Sequence, residues 1–202
     1  MLTTQEGQHA VVFARKIIEH VVTNTPVPSV SHPEVFRETH GAFVTIHTYS
    51  DHELRGCIGI PLPVLSLHEA IHESAESATR DPRFPPLQQH ELDSIIIEVT
   101  ILTKPILLRA KQPREYPPQI EIGRDGLIIE QGFSKGLLLP QVPVEQGWNK
   151  EEFLTHTCLK AGLLPDAWFE KNTKIFKFSG QIFTENTPRG EIKETHLNGS
   201  HT

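Results

Sequence analysis

Residues 41–60 read GAFVTIHTYSDHELRGCIGI, and the fold class turns on how this stretch divides. Gly41 to Tyr49 is rich in β-branched and aromatic residues, which suit a pleated and half-buried surface. Asp51 to Glu53 supplies a polar turn, and Leu54 to Ile60 resumes an apolar, glycine-punctuated run. The pattern predicts two paired strands. In the second of them Leu54, Gly56, Ile58 and Ile60 point one way, while Arg55, Cys57 and Gly59 point the other. A neighbouring guanidinium favours thiolate over thiol, and thiolate is the form that attacks electrophiles or binds soft metals. Gly56 and Gly59 carry no side chain to block a ligand's approach. The competing reading makes Cys57 a small buried residue and gives the glycines to packing, since cysteine is among the most buried residue types.

On the N-terminal side, Val11, Ala14, Ile17, Ile18 and Val21 recur at helical spacing, which predicts a core-facing helix over Gln8 to Val22. Thr23 to Pro33 holds three prolines and no period, so a flexible surface connection is expected. On the C-terminal side, Pro63 opens a helix through Thr79, which Asp81-Pro82 stops. Ser94 to Thr103, SIIIEVTILT, reads as a central strand with the single charge Glu98 in it. Lys104 to Pro118 reads as loop. In QIEIGRDGLIIEQGFSKGLLLP the Asp125-Gly126 pair and the Gly132 to Gly136 stretch punctuate short apolar runs, as in a β meander.

Asn149 with Glu152 three residues on predicts a capped helix to Gly162, with Cys158 on its apolar side. A short helical turn starts at Asp166, and Lys174 to Glu185 reads as the strand that closes the sheet.

At 202 residues the chain is long enough for one sizeable core and short for two ordinary domains. A single domain over residues 1–185 is expected, with room for two subdomains, followed by a flexible tail over 186–202. The formal charge is -6 and the 19 basic residues are scattered, so a nucleic-acid partner is not expected. No run approaches the roughly 18 apolar residues of a membrane span, and MLTTQEGQHA lacks a secretory layout. The 2 cysteines form no CxxC pair, which fits a reducing, cytoplasmic setting. There is no Gly-rich phosphate loop ending in Lys-Ser/Thr, no GxGxxG and no GxSxG.

His68-Glu69-Ala70-Ile71-His72 matches the H-E-x-x-H pattern of zinc proteases. A third ligand is missing from the following turn, with only His90 and Glu91 at a looser spacing, and both histidines sit at the border of the helix's buried stripe. No metal site is assigned. Asp81-Pro82-Arg83-Phe84 could hold Arg83 as an anion clamp. Glu98 needs a partner in its apolar strand, and Arg55 or Arg83 is the expected one. Gln141 and Glu145, between the prolines of LLLPQVPVEQGW, could line a cleft.

LRGCIG, DPRF, EVTIL, LLLPQVPVEQGW and then EEFL, CLKAGL and a tryptophan, in this order from about Gln8 to Glu185, make the chain resemble the AMMECR family, of which LRGCIG is the hallmark. The resemblance implies an α+β fold, a mainly antiparallel sheet flanked by helices with a smaller lobe beside it, and a cleft near LRGCIG. It points to a stand-alone prokaryotic, archaeal member, and to Memo-like and radical-SAM proteins as partners. It brings neither an established reaction nor a cofactor, and H-E-x-x-H is no hallmark of it. The combined expectation is an enzyme or enzyme component acting on a small or peptide-like anionic substrate. Cys57 and Glu98 would be catalytic, and Arg55, Gly56, Gly59, Arg83, Gln141 and Glu145 would bind. The rival is a non-catalytic protein-binding module.

Overall fold

The computed structural model describes residues 1–26 and 30–195. They form two compact units, one of Met1–Thr103 with the described residues from Gln181 on, the other of Lys104–Gly180. The fold is α+β with an antiparallel sheet, as the chain's periodicities require.

In the first unit, β1 (Gly41–Thr48) lies antiparallel between β2 (Leu54–Ile60) and β3 (Ile95–Leu102). β3 is followed in the sheet by β7 (Lys174–Glu185), whose last residues pair with β8 (Ile192–Thr195). β3 is therefore central, as its apolar run demands. Ala42, Val44 and Ile46 alternate with Phe43 and Thr45 along β1 and enter the core together with Ile95, Ile97, Val99 and Ile101 of β3. Residues of helices α1 (Thr4–Thr23) and α2 (Leu67–Ala78) complete that core, each fully buried Ile or Leu contributing roughly 1.5–3 kcal/mol.

α1 begins at Thr4 instead of Gln8, because Thr3 and Glu6 form a reciprocal capping box. Gly7 lies in that added turn, and a Cβ there would stand 2.2 Å from the Phe183 ring, so the helix can approach β7 only through glycine. α2 begins at Leu67, not at Pro63, because Ser66 and Glu69 form a second capping box. The polar tail does not begin at Asn186. Ile192–Thr195 is a strand, paired with Ile182 to Glu185. The expected flexibility of residues 27–29 and of the tail beyond Thr195 lies outside the described residues.

In the second unit, β5 (Asp125–Gln131) and β6 (Ser134–Leu138) form one hairpin, not a meander. The turn is Gly132-Phe133, with Gly132 at φ 59°, while Gly126 and Gly136 lie inside strands. β5 also pairs with β7, and β7 with the short β4 (Ile106–Leu107) inside the segment read as loop. α3 (Gln141–Glu145) is a further short element, and α4 (Lys150–Lys160) carries the expected Asn149–Glu152 capping box. Phe153, Leu154, Cys158, Trp168, Leu127, Ile129 and Ile175 form this unit's core. Among the described residues no helix is long and apolar enough to cross a membrane.

Candidate functional site

The β1–β2 register pairs Thr45 with Cys57 and Phe43 with Gly59, and the β1–β3 register pairs Thr45 with Glu98. Cys57, Thr45 and Glu98 therefore form one row across three strands, on the sheet face away from α1 and α2. The Thr45 hydroxyl donates to Cys57 Sγ at 3.3 Å. At the other end of the row, the Thr184 hydroxyl donates to Glu98 Oε2 at 3.0 Å. Cys57 is half-buried, whereas Cys158 is sealed in the core, and burial pushes its thiol up to about 11. Of the two cysteines, Cys57 alone has its side chain partly exposed.

The peptide of Cys57 is clamped from the segment following α2. Asp81 Oδ2 accepts the Cys57 N–H at 2.8 Å, and Arg83 Nη2 donates to the Cys57 carbonyl at 3.1 Å. Arg83 also grips Asp81 through Nε at 3.0 Å and Nη2 at 2.6 Å, and its backbone N–H reaches Asp81 Oδ1 at 3.0 Å. The Asp81 side chain is only 1% exposed. Arg83's hydrogen bonds to it hold its carboxyl well below the usual carboxylate range in spite of burial, with the N–H groups of Cys57 and Arg83 adding to the effect. Asp81 was not among the expected site residues. Its signal was present in DPR, because an aspartate commonly bonds the backbone two residues on, but the pair Asp81-Pro82 reads first as a helix stop.

Several expected roles are corrected. Arg55 does not stand free beside the sulfur; its guanidinium binds Glu91 in bidentate fashion, at 2.7 and 3.0 Å. That pairing uses the carboxylate proposed as a loose metal ligand and holds Glu91 below the usual range. Neither Arg55 nor Arg83 pairs with Glu98, whose partner is Thr184. Gly56 and Gly59 do not open the strand to a ligand. A Cβ on Gly56 would meet the Ala78 carbonyl oxygen at 2.4 Å, and one on Gly59 the Phe43 ring at 2.2 Å. Both glycines are packing positions. Gln141 and Glu145 lie on α3 of the second unit and are not among the residues that the first unit's sheet gathers.

The HEAIH segment is likewise accounted for by packing. Glu69 is the capping carboxylate of α2, bonded to Ser66 N at 3.0 Å and Ser66 Oγ at 2.6 Å. His68 stacks on Phe13 at 5.0 Å between ring centroids and meets His32 edge-on at 4.6 Å. His32 in turn lies 3.1 Å, nitrogen to nitrogen, from His9.

An α+β protein with a half-buried cysteine clamped on the polar face of an antiparallel sheet is the class that fold and site define. The AMMECR1 family model matches residues 11–183. The chain belongs to the AMMECR1 family. It is 56% identical over 198 residues to Protein MJ0810 of Methanocaldococcus jannaschii, covering 98% of each chain. A protein of Thermofilum pendens is 47% identical over 207 residues, with 97% of each covered. The crystal structure of uncharacterized protein PH0010 from Pyrococcus horikoshii matches with a TM-score of 0.80 at 45% identity, covering 97% of this chain and 99% of that one.

Proposed function

We propose that the polar face of the first unit's sheet is the substrate face of an enzyme or enzyme component, with Cys57 as nucleophile and Glu98 as general acid and base. The observation that carries this reading is the row Cys57–Thr45–Glu98, with its hydroxyl-to-sulfur bond at 3.3 Å. The Thr45 hydroxyl fixes the direction in which the sulfur points. The clamp on the Cys57 peptide keeps that sulfur on a rigid strand, as a reacting atom requires. Two strand spacings separate Cys57 from Glu98, about 10 Å between backbones. A small or peptide-like substrate lying over Thr45 reaches both groups. Arg83 is 55% exposed, and its Nη1 lies outside the clamp, so it offers the contact for an anionic part of such a substrate.

Alkylation tests this reading. Native protein should react with iodoacetamide at Cys57 faster than a free thiol does, Thr45→Val should slow it, and Cys158 should stay protected. A Cys57 no faster than a free thiol, in a protein whose Cys57→Ser variant binds ligand unchanged, would end the nucleophile assignment.

A second reading, a binding module for Memo-like or radical-SAM proteins, is favoured by Phe133. This aromatic stands fully exposed at the tip of the β5–β6 hairpin, and aromatic anchors dominate protein interfaces. Co-purification with such partners that is lost in Phe133→Ala and kept in Cys57→Ala would support it over catalysis.

A further inference from the structure

Beside Glu98 the first unit has a hollow of about 380 Å³, whose walls include His47, Ile96, Thr184, Asn186 and Thr195. Its two carboxylates are in different states. Glu185 is fully engaged: Arg15 donates to its Oε1 at 2.6 Å and to its Oε2 at 2.5 Å, and the Ile97 N–H reaches Oε2 at 3.0 Å. Glu98 receives one bond, from the Thr184 hydroxyl, and among the described residues no lysine or arginine pairs with it. An ionised carboxylate accepts about four hydrogen bonds. A half-buried one left with a single neutral donor lacks a counter-charge.

Among the described residues the rest of the wall holds no lysine or arginine: it consists of two histidines, His47 and His52, with the acceptors of Thr184, Asn186 and Thr195 and the apolar Ile96. Asn186 lines the hollow and donates one amide N–H to Glu191 at 3.3 Å, while among the described residues no donor reaches its side-chain carbonyl oxygen. The Thr184 and Thr195 hydroxyls lie 3.5 Å apart and each keeps an oxygen able to accept. His47 Nδ1 is buried and has no partner among the described residues. Ile96 supplies an apolar wall. The volume suits a small ligand.

We infer that this hollow binds a primary ammonium group, with Glu98 as its counter-ion, Thr184 and Asn186 as further acceptors, and Ile96 against the adjoining methylenes. An ammonium is a compact charge with three donors, which matches this surplus of acceptors better than a planar guanidinium does. The inference rests on the reading of this face as the substrate face, and it makes the substrate, at this end, an amine. The ammonium belongs either to a free alkylamine or to a lysine side chain in a peptide.

Calorimetric titration of the full chain with n-butylammonium chloride and with Nα-acetyl-lysine N-methylamide distinguishes the two sources by which binds more tightly. Saturable binding of at least one, weakened by about tenfold or more in Glu98→Gln and also reduced in Asn186→Ala, with no binding of n-butanol, is the expected result. Binding equal in the parent and in Glu98→Gln, or binding of n-butanol as tight as that of the amine, or no binding of either amine, overturns the inference. Thermal unfolding of each variant verifies that it is folded. Cys57 alkylation, measured on the same samples, reports separately on the substrate face: a fast thiol with no amine binding would sink the ammonium site alone.

Discussion

Asp81 accepts the backbone N–H of Cys57 at 2.8 Å, so the stop of helix α2 is also the brace of the cysteine strand. Arg83 completes the brace by bonding both Asp81 and the Cys57 carbonyl. The arrangement ties a buried carboxylate to three N–H donors besides the guanidinium's second contact. Asp81→Asn keeps the shape, loses the charge and turns one acceptor into a donor facing other donors. The expected cost is about 2–4 kcal/mol at neutral pH, read from urea unfolding.

The same carboxylate makes a pH prediction. Its folded pKa lies below its unfolded value, chiefly because Arg83 bonds the charged form. Such a group contributes stability that is fully present above an unfolded pKa of about 3.9 and is lost as pH falls below it. The parent should therefore lose stability on acidification below about pH 4 more steeply than Asp81→Asn does. Parallel acid profiles for the two would show that Asp81 is not the group responsible.

Gly56 is predicted to be among the least replaceable positions of β2. A Cβ there would stand 2.4 Å from the Ala78 carbonyl oxygen, a backbone atom that cannot swing aside. Gly56→Ala should cost at least the 1–3 kcal/mol or so typical of overpacking, and should displace the end of α2 from the strand. Gly132→Ala, at φ 59° with nothing within 4 Å, is the control. Its cost should be only the backbone strain of about 1–2 kcal/mol.

These contrasts explain how far the sequence could be read. β-branched alternation gave β1, β2, β3 and β7, and the Asn149–Glu152 spacing gave α4, because these signals are local. The partners were not local. Arg55 sits two residues from Cys57 in one strand, yet its charge is spent on Glu91, which is 36 residues away. A glycine looks open in a sequence, whereas Phe43 across the strand pair decides what stands over Gly59. β4, β8 and α3 are too short to show a period, and they exist because β7 offers edges to pair with or because prolines set a turn. Asp81 was hidden behind a proline that explained it well enough alone.

The buried pair Arg15–Glu185 predicts an asymmetry between single and double replacements. Both side chains are at most 5% exposed, and Arg15 also donates to the Leu92 and Ile95 carbonyls at 3.2 and 2.8 Å. Glu185→Gln leaves the buried guanidinium with only the longer contact to Glu19, at 4.0 Å, as its counter-charge, and should destabilise by about 3–5 kcal/mol. Arg15→Met with Glu185→Leu removes both charges and should cost less than the sum of the two single replacements. Additive costs in a double-mutant cycle would show that the ion pair is not coupled.

The cluster of His9 on α1, His68 on α2 and His32 in the connection between α1 and β1 predicts a second loss of stability at milder acidity. Burial, followed by the neighbouring His68 and His9, lowers His32 to about 4. His9 is lowered by burial and by Lys16, and His68 by burial and by His72, with Glu69 opposing. The unfolded chain, with ordinary histidines near pH 6.5, then binds protons more readily than the folded one between that value and about pH 4. Stability is complete above the upper limit and declines as pH falls through the window. The decline due to His32 should be on the order of 1 kcal/mol or more, since each shifted pKa unit is worth about 1.4 kcal/mol when fully expressed. His32→Phe keeps a ring to stack on Phe36 and to meet Phe13 edge-on, while removing the titrating group. Urea midpoints measured across the window should fall less for His32→Phe than for the parent. An unchanged slope would mean that protons enter the folded protein elsewhere and that the His9–His32 contact survives acidification.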